Sequence, residues 1–459
     1  MVFTAVTLLL ILVGLVNFRY GLVFYLTYKL ILVTNVTLIS LPDIPLLTQE
    51  MFLTMWFLLL FLLRGKSVRC AHCELPFKMP FVLLVASWTL SAVFSAAGLE
   101  SELSRLVGNV LEDVLLIWMI WEVFESHELF VVLYKSITFA FFVSCIYGFV
   151  ELGLKVNPLI QYESTLLGGD ARSITYVYTD TLSRGYRISS FFEHPIGAGV
   201  NWAIYSVFTF WLWINRETTD MRGLSGAFMA FALLTAFLCV PCIILTRMRS
   251  PLIFFLICCL ALINFKSRRF IGFVLGAVVG ILILLPVLST NFQILASLFS
   301  DSAQEQVRGS SFDMRLNQFQ VAFSLADTSP IFGLGEKYAQ VMPGSLYEGL
   351  YGSESIWLST IVCHGYFGMA IELFYMTWST FVVPRRFRSL PLFFFMLAYW
   401  TTATVTSLPG MKLYLLFLVA FFLLKTSCIY QPVCNKDSSG LTNRNNFDKN
   451  ESSNLNKPI

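Results

Sequence analysis

Charged side chains are scarce in this sequence. Asp, Glu, Lys and Arg together make up 13% of the 459 residues, which is about half the share in a typical soluble protein. Hydrophobic residues make up 57%, more apolar surface than a single soluble core of this length can hide. This composition excludes a soluble globular protein. The net charge of +3 is spread over many loops and forms no basic stripe, so we expect no nucleic-acid partner.

Several signatures of soluble enzymes are also missing. The sequence contains no P-loop, no HExxH pair and no GxSxG elbow. Most of the ten cysteines lie in or beside apolar runs, where cysteine behaves as a small hydrophobic residue. The two CxxC spacings, at residues 70–73 and 239–242, lack the second ligand pair of a structural zinc site. We therefore predict no metal site and no cofactor.

Long hydrophobic runs recur through almost the whole chain and predict an all-α, polytopic integral membrane protein with about 12–13 transmembrane helices. The N-terminal run has no basic region before it and no small-residue cleavage site after it, so we expect it to stay as the first membrane helix. The predicted spans lie near residues 2–17, 21–40, 51–63, 80–97, 105–121, 129–150, 197–214, 224–245, 251–265, 270–289, 355–381, 390–406 and 411–428.

Lysine and arginine are concentrated in alternate loops, and this asymmetry predicts the orientation of the protein in the membrane. The basic loops near 64–78, 216–222, 266–269 and 385–388 fall on one side of the bilayer if the spans alternate. We assign that side to the cytoplasm. Residues 1–430 then form the transmembrane domain. The tail at 431–459 is rich in Asn, Ser and Lys, and we predict that it is disordered and cytoplasmic.

Two long loops, about 151–196 and 291–354, fall on the opposite, periplasmic side, and such loops favour functional sites. Within the second loop, residues 312–326 predict an amphipathic helix that lies on the membrane surface or over the core. Its apolar residues recur at helical spacing: Phe312, Leu316, Phe319 and Phe323.

The first candidate site segment is RGYRISSFFEHPIGAG, residues 184–199, which directly precedes a span. Arg184 and Arg187 are candidate ligands of a lipid diphosphate, because a guanidinium offers a planar fork of donors that matches phosphate oxygens. His194 is a candidate acid–base residue. The alternative is an interfacial loop whose arginines reach lipid headgroups.

The second candidate segment is LTRMRSP, residues 245–251, in which two arginines stand between apolar stretches with almost no loop. An arginine at the bilayer centre costs about 2.5–3.5 kcal/mol on insertion scales, and less at a span end. Arg247 and Arg249 also run against the positive-inside bias. We therefore interpret them as anion ligands, with interfacial anchors as the alternative.

The third candidate segment runs from Arg315 through SPIFGLGEKY, residues 329–338, to the span that opens near residue 354. Glycines in SPIFGLGEKY permit a tight turn and close approach of the backbone. Glu354 is a candidate base for an acceptor hydroxyl. The alternative is a helix N-terminal acid stabilised by the helix dipole by about 0.3–1 kcal/mol.

These three segments, in this order, resemble the O-antigen ligase and O-antigen polymerase (Wzy-type) superfamily of bacterial polysaccharide assembly. The resemblance covers roughly residues 184–380. The pieces that match, in chain order, are RISSFFEHP from residue 187, TRMRS from 246, Arg315, PIFGLG from 330, and a span from Glu354-Ser355 through GYFG at 365–368.

The resemblance implies a GT-C-like glycosyltransferase in the bacterial inner (plasma) membrane, with its active site facing the periplasm. Such an enzyme moves a glycan from an undecaprenyl-diphosphate carrier to an acceptor sugar, with inversion. Fixed arginines can neutralise the leaving diphosphate without a metal ion. We predict that Arg187, Arg249 and Arg315 converge on the diphosphate, with Glu354 or His194 as the base. A chain-length regulator protein is an expected partner.

One departure favours a polymerase over a ligase. Glu354-Ser355 stands where ligases of the family usually have His-Asn. A polymerase joins lipid-linked repeat units into O-antigen, capsule or exopolysaccharide, whereas a ligase transfers the glycan to lipid A-core. A transporter or flippase of lipid-linked sugar is an alternative of another class, but it should carry polar residues at mid-span and broken helices in two matching halves. A structural scaffold would need no outward arginine cluster.

Overall fold

A computed structural model describes residues 2–31, 37–39, 47–64, 74–124, 127–167, 186–216, 223–264, 267, 269–272, 274, 312–338 and 355–426. Several features predicted from the sequence lie outside these residues: Arg184, Glu354, most of the predicted span at 270–289 and the tail at 431–459. The two predicted periplasmic loops are described only in part.

The described residues are almost entirely helical, as the sequence predicts. One short antiparallel pair, β1 (Thr37–Ile39) with β2 (Leu47–Thr48), is the exception among them. The helices are α1 (Val2–Val16), α2 (Phe18–Ile31), α3 (Gln49–Arg64), α4 (Lys78–Val93), α5 (Leu99–Asn109), α6 (Leu116–Val123), α7 (His127–Leu154), α8 (Pro158–Leu167), α9 (Pro195–Ile214), α10 (Gly226–Leu245), α11 (Arg249–Cys259), α12 (Phe312–Ala326), α13 (Ile356–Thr377), α14 (Val383–Arg386), α15 (Leu390–Val405) and α16 (Leu413–Lys425).

Two of these helix pairs are continuous through a π-helical turn. Val110–Leu115 joins α5 to α6, and Trp378–Val382 joins α13 to α14. Three helices in the described part are long and apolar enough to cross a bilayer: Glu128–Leu154, Gly226–Leu245 and Ile356–Arg386. Several shorter apolar helices accompany them. The structure thus shows an all-helical membrane-type architecture.

The bundle has two chemically different ends. At one end, which we call the arginine end, residues 47–50, 193–197, 246–251 and 408–412 come together. A hydrogen bond of 3.2 Å from Asn201 Nδ2 to the Gly410 carbonyl ties two of these segments. The starts of α3, α9 and α11 therefore meet there, with the ends of α10 and α15.

Basic residues of one predicted cytoplasmic loop and of the end of the last predicted span lie at the opposite end. Arg269 Nη1 donates to the Trp213 carbonyl at 3.4 Å, near the end of α9. Lys425 Nζ donates to the Phe124 carbonyl at 2.8 Å, at the ends of α16 and α6. The helices thus alternate in direction as the charge pattern predicts. Which end faces the cytoplasm stays a prediction.

Helix α12 has the bounds that the sequence predicts, but its aromatic residues do not face the core. Phe319 and Phe323 are exposed on its outer side. Another side packs instead: Gln318, Ala322 and Leu325 are buried, and α12 lies against α13. The predicted placement of this stripe over the core is therefore wrong, and its placement on the membrane surface stays a prediction.

Candidate active site

The structure brings the first two predicted arginine segments together. Arg187 Nη1 lies 3.4 Å from Sδ of Met248, the residue between Arg247 and Arg249. The backbone N–H of Ile188 donates to the Leu245 carbonyl at 3.4 Å. Arg187, Arg247 and Arg249 are each half-buried. Segments about 60 residues apart in the chain therefore form one cationic surface.

Small residues at the start of α9 allow this approach. A Cβ on Gly199 would lie 2.5 Å from Pro251 Cβ, and a Cβ on Gly197 would lie 2.3 Å from the Gly410 backbone. Both distances are shorter than real Cβ contacts. The first turn of α9 is thus packed between the turn at 246–251 and the turn at 408–412 because these two positions have no side chain.

Two helix N-termini add to the positive potential. Arg249 is the first residue of α11, and Pro195 is the first residue of α9. The N-terminus of a helix carries a partial positive charge and exposed N–H groups, which favour anions. Arg247 adopts a left-handed conformation, with φ of 53°, which ends α10 and starts the turn. The arrangement can hold a phosphate-like anion.

His194 is the N-cap of α9. Its Nδ1 accepts a hydrogen bond of 3.1 Å from the Ile196 backbone N–H, so in the neutral ring Nε2 carries the proton. Burial, helped by the nearby charge of Arg187, lowers the pKa of His194 to about 4. The residue is therefore neutral at pH 7 and can donate, but its acceptor nitrogen is already used.

A buried ion-pair cluster lies beside this cationic surface. Lys29 Nζ is 2.6 Å from Glu50 Oε1 and 3.3 Å from Glu112 Oε2. Lys412 Nζ lies 3.5 Å from the same Glu50 oxygen. Burial raises the pKa of Glu193, and the charge of Lys412 opposes that rise. Sequence reasoning missed these residues; ionisable residues within predicted spans were the available signal.

The PIFGLG motif fills a break in α13. Gly365 has φ of 64° and ψ of −166°, a conformation open in practice only to glycine. Because this break frees backbone groups, they need other partners. The N–H groups of Leu334 and Gly335 donate to the carbonyls of Val362 and Cys363 at 2.9 and 3.0 Å. The carbonyl of Pro330 accepts from the Tyr366 N–H at 2.8 Å.

Glu336, the residue after this motif, joins α5 to α13. Arg105 Nε donates to Glu336 Oε2 at 2.7 Å, and Asn109 Nδ2 donates to Glu336 Oε1 at 2.6 Å. His364 Nε2 lies 3.8 Å from Glu336 Oε1. The motif thus places a carboxylate among a guanidinium, an amide and an imidazole. None of these four residues was predicted from the sequence as a site residue.

Three predicted site residues stay untested by the geometry. Arg184 and Glu354 lie outside the described residues. Arg315 lies in the first turn of α12, but its side chain is not among those described. In the part of the chain that the structure covers, no group of three His, Cys, Asp or Glu side chains is arranged to hold a metal ion.

The fold and the site together define a polytopic helical membrane protein with a cationic surface at one end of its bundle. Residues 234–373 match the family model of the O-antigen ligase, Wzy_C. The match includes the turn at 246–251, α12, the PIFGLG motif and most of α13. It confirms the resemblance to the O-antigen ligase and polymerase superfamily, and it indicates a glycosyl-transferring enzyme of polysaccharide assembly. No curated protein matches the chain.

Proposed function

We propose that this protein is an inner-membrane glycosyltransferase that polymerises undecaprenyl-diphosphate-linked repeat units into a surface polysaccharide at the periplasmic face. The observation that carries the proposal is the 3.4 Å contact between Arg187 Nη1 and Met248 Sδ, which joins two predicted arginine segments into one surface. The family match at 234–373 supports glycosyl transfer as the chemistry.

The arginines stabilise the diphosphate as it leaves. In the transfer, an acceptor hydroxyl oxygen bonds to the anomeric carbon of the donor sugar while the bond from that carbon to the diphosphate oxygen breaks. The diphosphate leaves with the electron pair, and the hydroxyl proton passes to a base. Arg187, Arg247 and Arg249, aided by two helix N-termini, neutralise the charge that develops on the diphosphate. Attack from the face opposite the leaving group inverts the anomeric centre.

We assign Arg315 to the same diphosphate and Glu354 to the base. Glu354 directly precedes Ser355 in the sequence, and Ser355 is the N-cap of α13. His194 serves as a positioning residue in this scheme, because its Nδ1 holds the first turn of α9. The exposed stripe of Leu316, Phe319 and Phe323 suits contact with lipid, where a polyprenyl carrier resides.

A ligase that transfers the glycan to lipid A-core is the second candidate. The description of the matched family favours it, whereas Glu354-Ser355 in place of His-Asn favours the polymerase. The cationic surface can bind the leaving diphosphate in either reaction. A flippase is a weaker alternative, because Arg187, Arg247 and Arg249 lie at one end of the bundle instead of lining a mid-membrane path.

The test is replacement of Arg249 by Lys and by Ala in a deletion strain that carries the gene on a plasmid. We expect Arg249→Ala to abolish long polymer and Arg249→Lys to reduce it, because Lys lacks the planar fork that grips two phosphate oxygens. Arg385→Ala, an exposed arginine at the opposite end of the bundle, is the matched control and should leave polymer unchanged.

The products distinguish the two candidate reactions. Loss of a polymerase leaves single repeat units on the cell surface. Loss of a ligase leaves bare core and accumulated lipid-linked polymer. Normal polymer yield and length in an Arg249→Ala variant that folds and inserts into the membrane would contradict both.

A further inference from the structure

A cavity of about 420 Å³ opens between α4, α5 and α13. Its volume lies within the range of about 300–1,000 Å³ that is usual for small-molecule sites. The PIFGLG segment contributes Glu336 to its wall, and α13 contributes His364 and Glu372. None of Arg187, Arg247 and Arg249 is among the described residues that line it. The cavity is therefore separate from the cationic surface.

The acidic groups of the lining disfavour a diphosphate. Asp113, Glu336 and Glu372 supply three carboxyl groups. The guanidinium among the described lining residues, that of Arg105, is engaged by Glu336 at 2.7 Å. An anionic ligand would therefore meet an excess of acidic groups. Carboxylate and amide oxygens accept hydrogen bonds, so the lining suits a ligand rich in hydroxyl groups.

The remaining lining supplies flat apolar surfaces and a buried polar atom that needs a partner. Trp88, Tyr375 and Tyr399 line the cavity, and aromatic rings offer rigid faces to an apolar side of a ligand. Nδ1 of His364 is buried and has no hydrogen-bond partner among the described residues. A buried polar atom in this state carries a desolvation cost, which a ligand hydroxyl can offset.

We propose that this cavity binds the acceptor glycan, through a terminal sugar that carries hydroxyl groups and no phosphate. The first sugar of the donor is bonded to the diphosphate and must stay beside the arginines. The non-reducing end of the acceptor carries no phosphate of its own, which fits an acidic, aromatic cavity, and its attacking hydroxyl reaches from there towards the donor. The cavity and the arginine end of the bundle are adjacent. Leu413 lines the cavity, and the preceding residue, Lys412, belongs to the ion-pair cluster beside the cationic surface. The inference rests on the proposed glycosyl transfer.

The test measures binding and not transfer. The probe is an oligosaccharide of one or two repeat units, cleaved from the surface polysaccharide of the host and carrying no phosphate at its reducing end. It is titrated against the full chain in nanodiscs. Ser359 lines the cavity from α13, and Ser359→Trp should fill it and weaken binding at least tenfold. Leu373→Trp, at an exposed position of the same helix, should bind as the wild type does.

A second variant keeps the volume and replaces one carboxyl group by an amide. Glu372→Gln should weaken binding of the oligosaccharide by about three- to tenfold and leave binding of farnesyl diphosphate unchanged. Arg249→Ala should do the reverse. If the wild-type protein shows no saturable binding at millimolar oligosaccharide, or if Ser359→Trp binds as tightly as Leu373→Trp, the cavity is not the acceptor site. Those results would leave the diphosphate role of Arg249 intact, so the two proposals fail separately.

Discussion

The backbone N–H of Gly335 donates a 3.0 Å hydrogen bond to the carbonyl of Cys363, within the first turns of α13. This bond, with its neighbours, inserts residues 330–335 into a helix that breaks at Gly365. The PIFGLG motif therefore bridges the break in α13. It satisfies backbone groups that the break exposes, and it carries Glu336 into the cavity wall.

Replacing Gly333 by Ala should destabilise the protein. A Cβ there would lie 2.4 Å from the Cys363 backbone, and the residue has φ of +73°. The left-handed conformation alone costs about 1–2 kcal/mol for a residue with a side chain, and the clash adds to this. We expect a lower midpoint of thermal unfolding in detergent, together with loss of activity.

Gly153→Ala is the control for that substitution. Gly153 lies in α7, and a Cβ there has open space around it. Alanine is favoured over glycine inside a helix by about 1 kcal/mol, so this variant should be as stable as the wild type or more so. Equal stability of Gly333→Ala and wild type would contradict the role of the PIFGLG motif in bridging the break in α13.

The ion-pair cluster predicts a large loss of stability when Glu50 is replaced by an uncharged residue. Glu50→Gln leaves the buried ammonium groups of Lys29 and Lys412 without the carboxylate that both approach. Removing one partner of a buried pair costs about 3–5 kcal/mol. Glu74→Gln, in an exposed pair with Lys78, should have little effect, because exposed pairs contribute about 0–1 kcal/mol. Thermal unfolding of both variants in the same detergent measures the difference.

His194 predicts a specific pH dependence of stability. The pKa in the folded protein, about 4, lies below the ordinary value of 6.5. Between these values the unfolded chain binds the additional proton, so the free energy of unfolding falls as the pH drops from about 6.5 to about 4. His194→Asn can keep the helix cap and lacks this titration. Its unfolding midpoint should therefore fall less between pH 7 and pH 4.5 than that of the wild type.

The same variant separates a positioning role from a catalytic one. If His194 acts through the N-cap, His194→Asn should retain transfer to within about threefold, and His194→Ala should lose about 1 kcal/mol of stability. A loss of turnover of a hundredfold or more in a stable His194→Asn variant would instead assign the proton transfer to this histidine.

Much of the fold could be predicted from the sequence because membrane helices are encoded by composition. Long apolar runs give the helices, and the loop charges give their alternation. The bounds of α12 were predicted from residues 312–326 alone. Of the two placements predicted for its apolar stripe, the one over the core is wrong and the one on the membrane surface stays a prediction, because in a membrane protein an exposed aromatic face is compatible with lipid.

Only those residues of the candidate site that belong to a recognisable sequence pattern could be predicted. Arg247 and Arg249 stand out in the sequence because they run against the positive-inside bias, and Arg187 stands out because it precedes the start of a span. Lys29, Glu50 and Lys412 lie far apart in the chain, so their ion pairs could not be predicted without the tertiary structure. The contacts of Glu336 likewise depend on how residues 330–335 cross α13, which no local pattern specifies.

The most direct test of the central claim is the affinity of the reconstituted full chain for undecaprenyl diphosphate in nanodiscs. If Arg187 and Arg249 hold the diphosphate together, each Ala variant should weaken binding at least tenfold, and Arg385→Ala should not. The double variant should lose little more than the worse single variant, because the two arginines share one ligand. Unchanged affinity in both single variants would contradict the account.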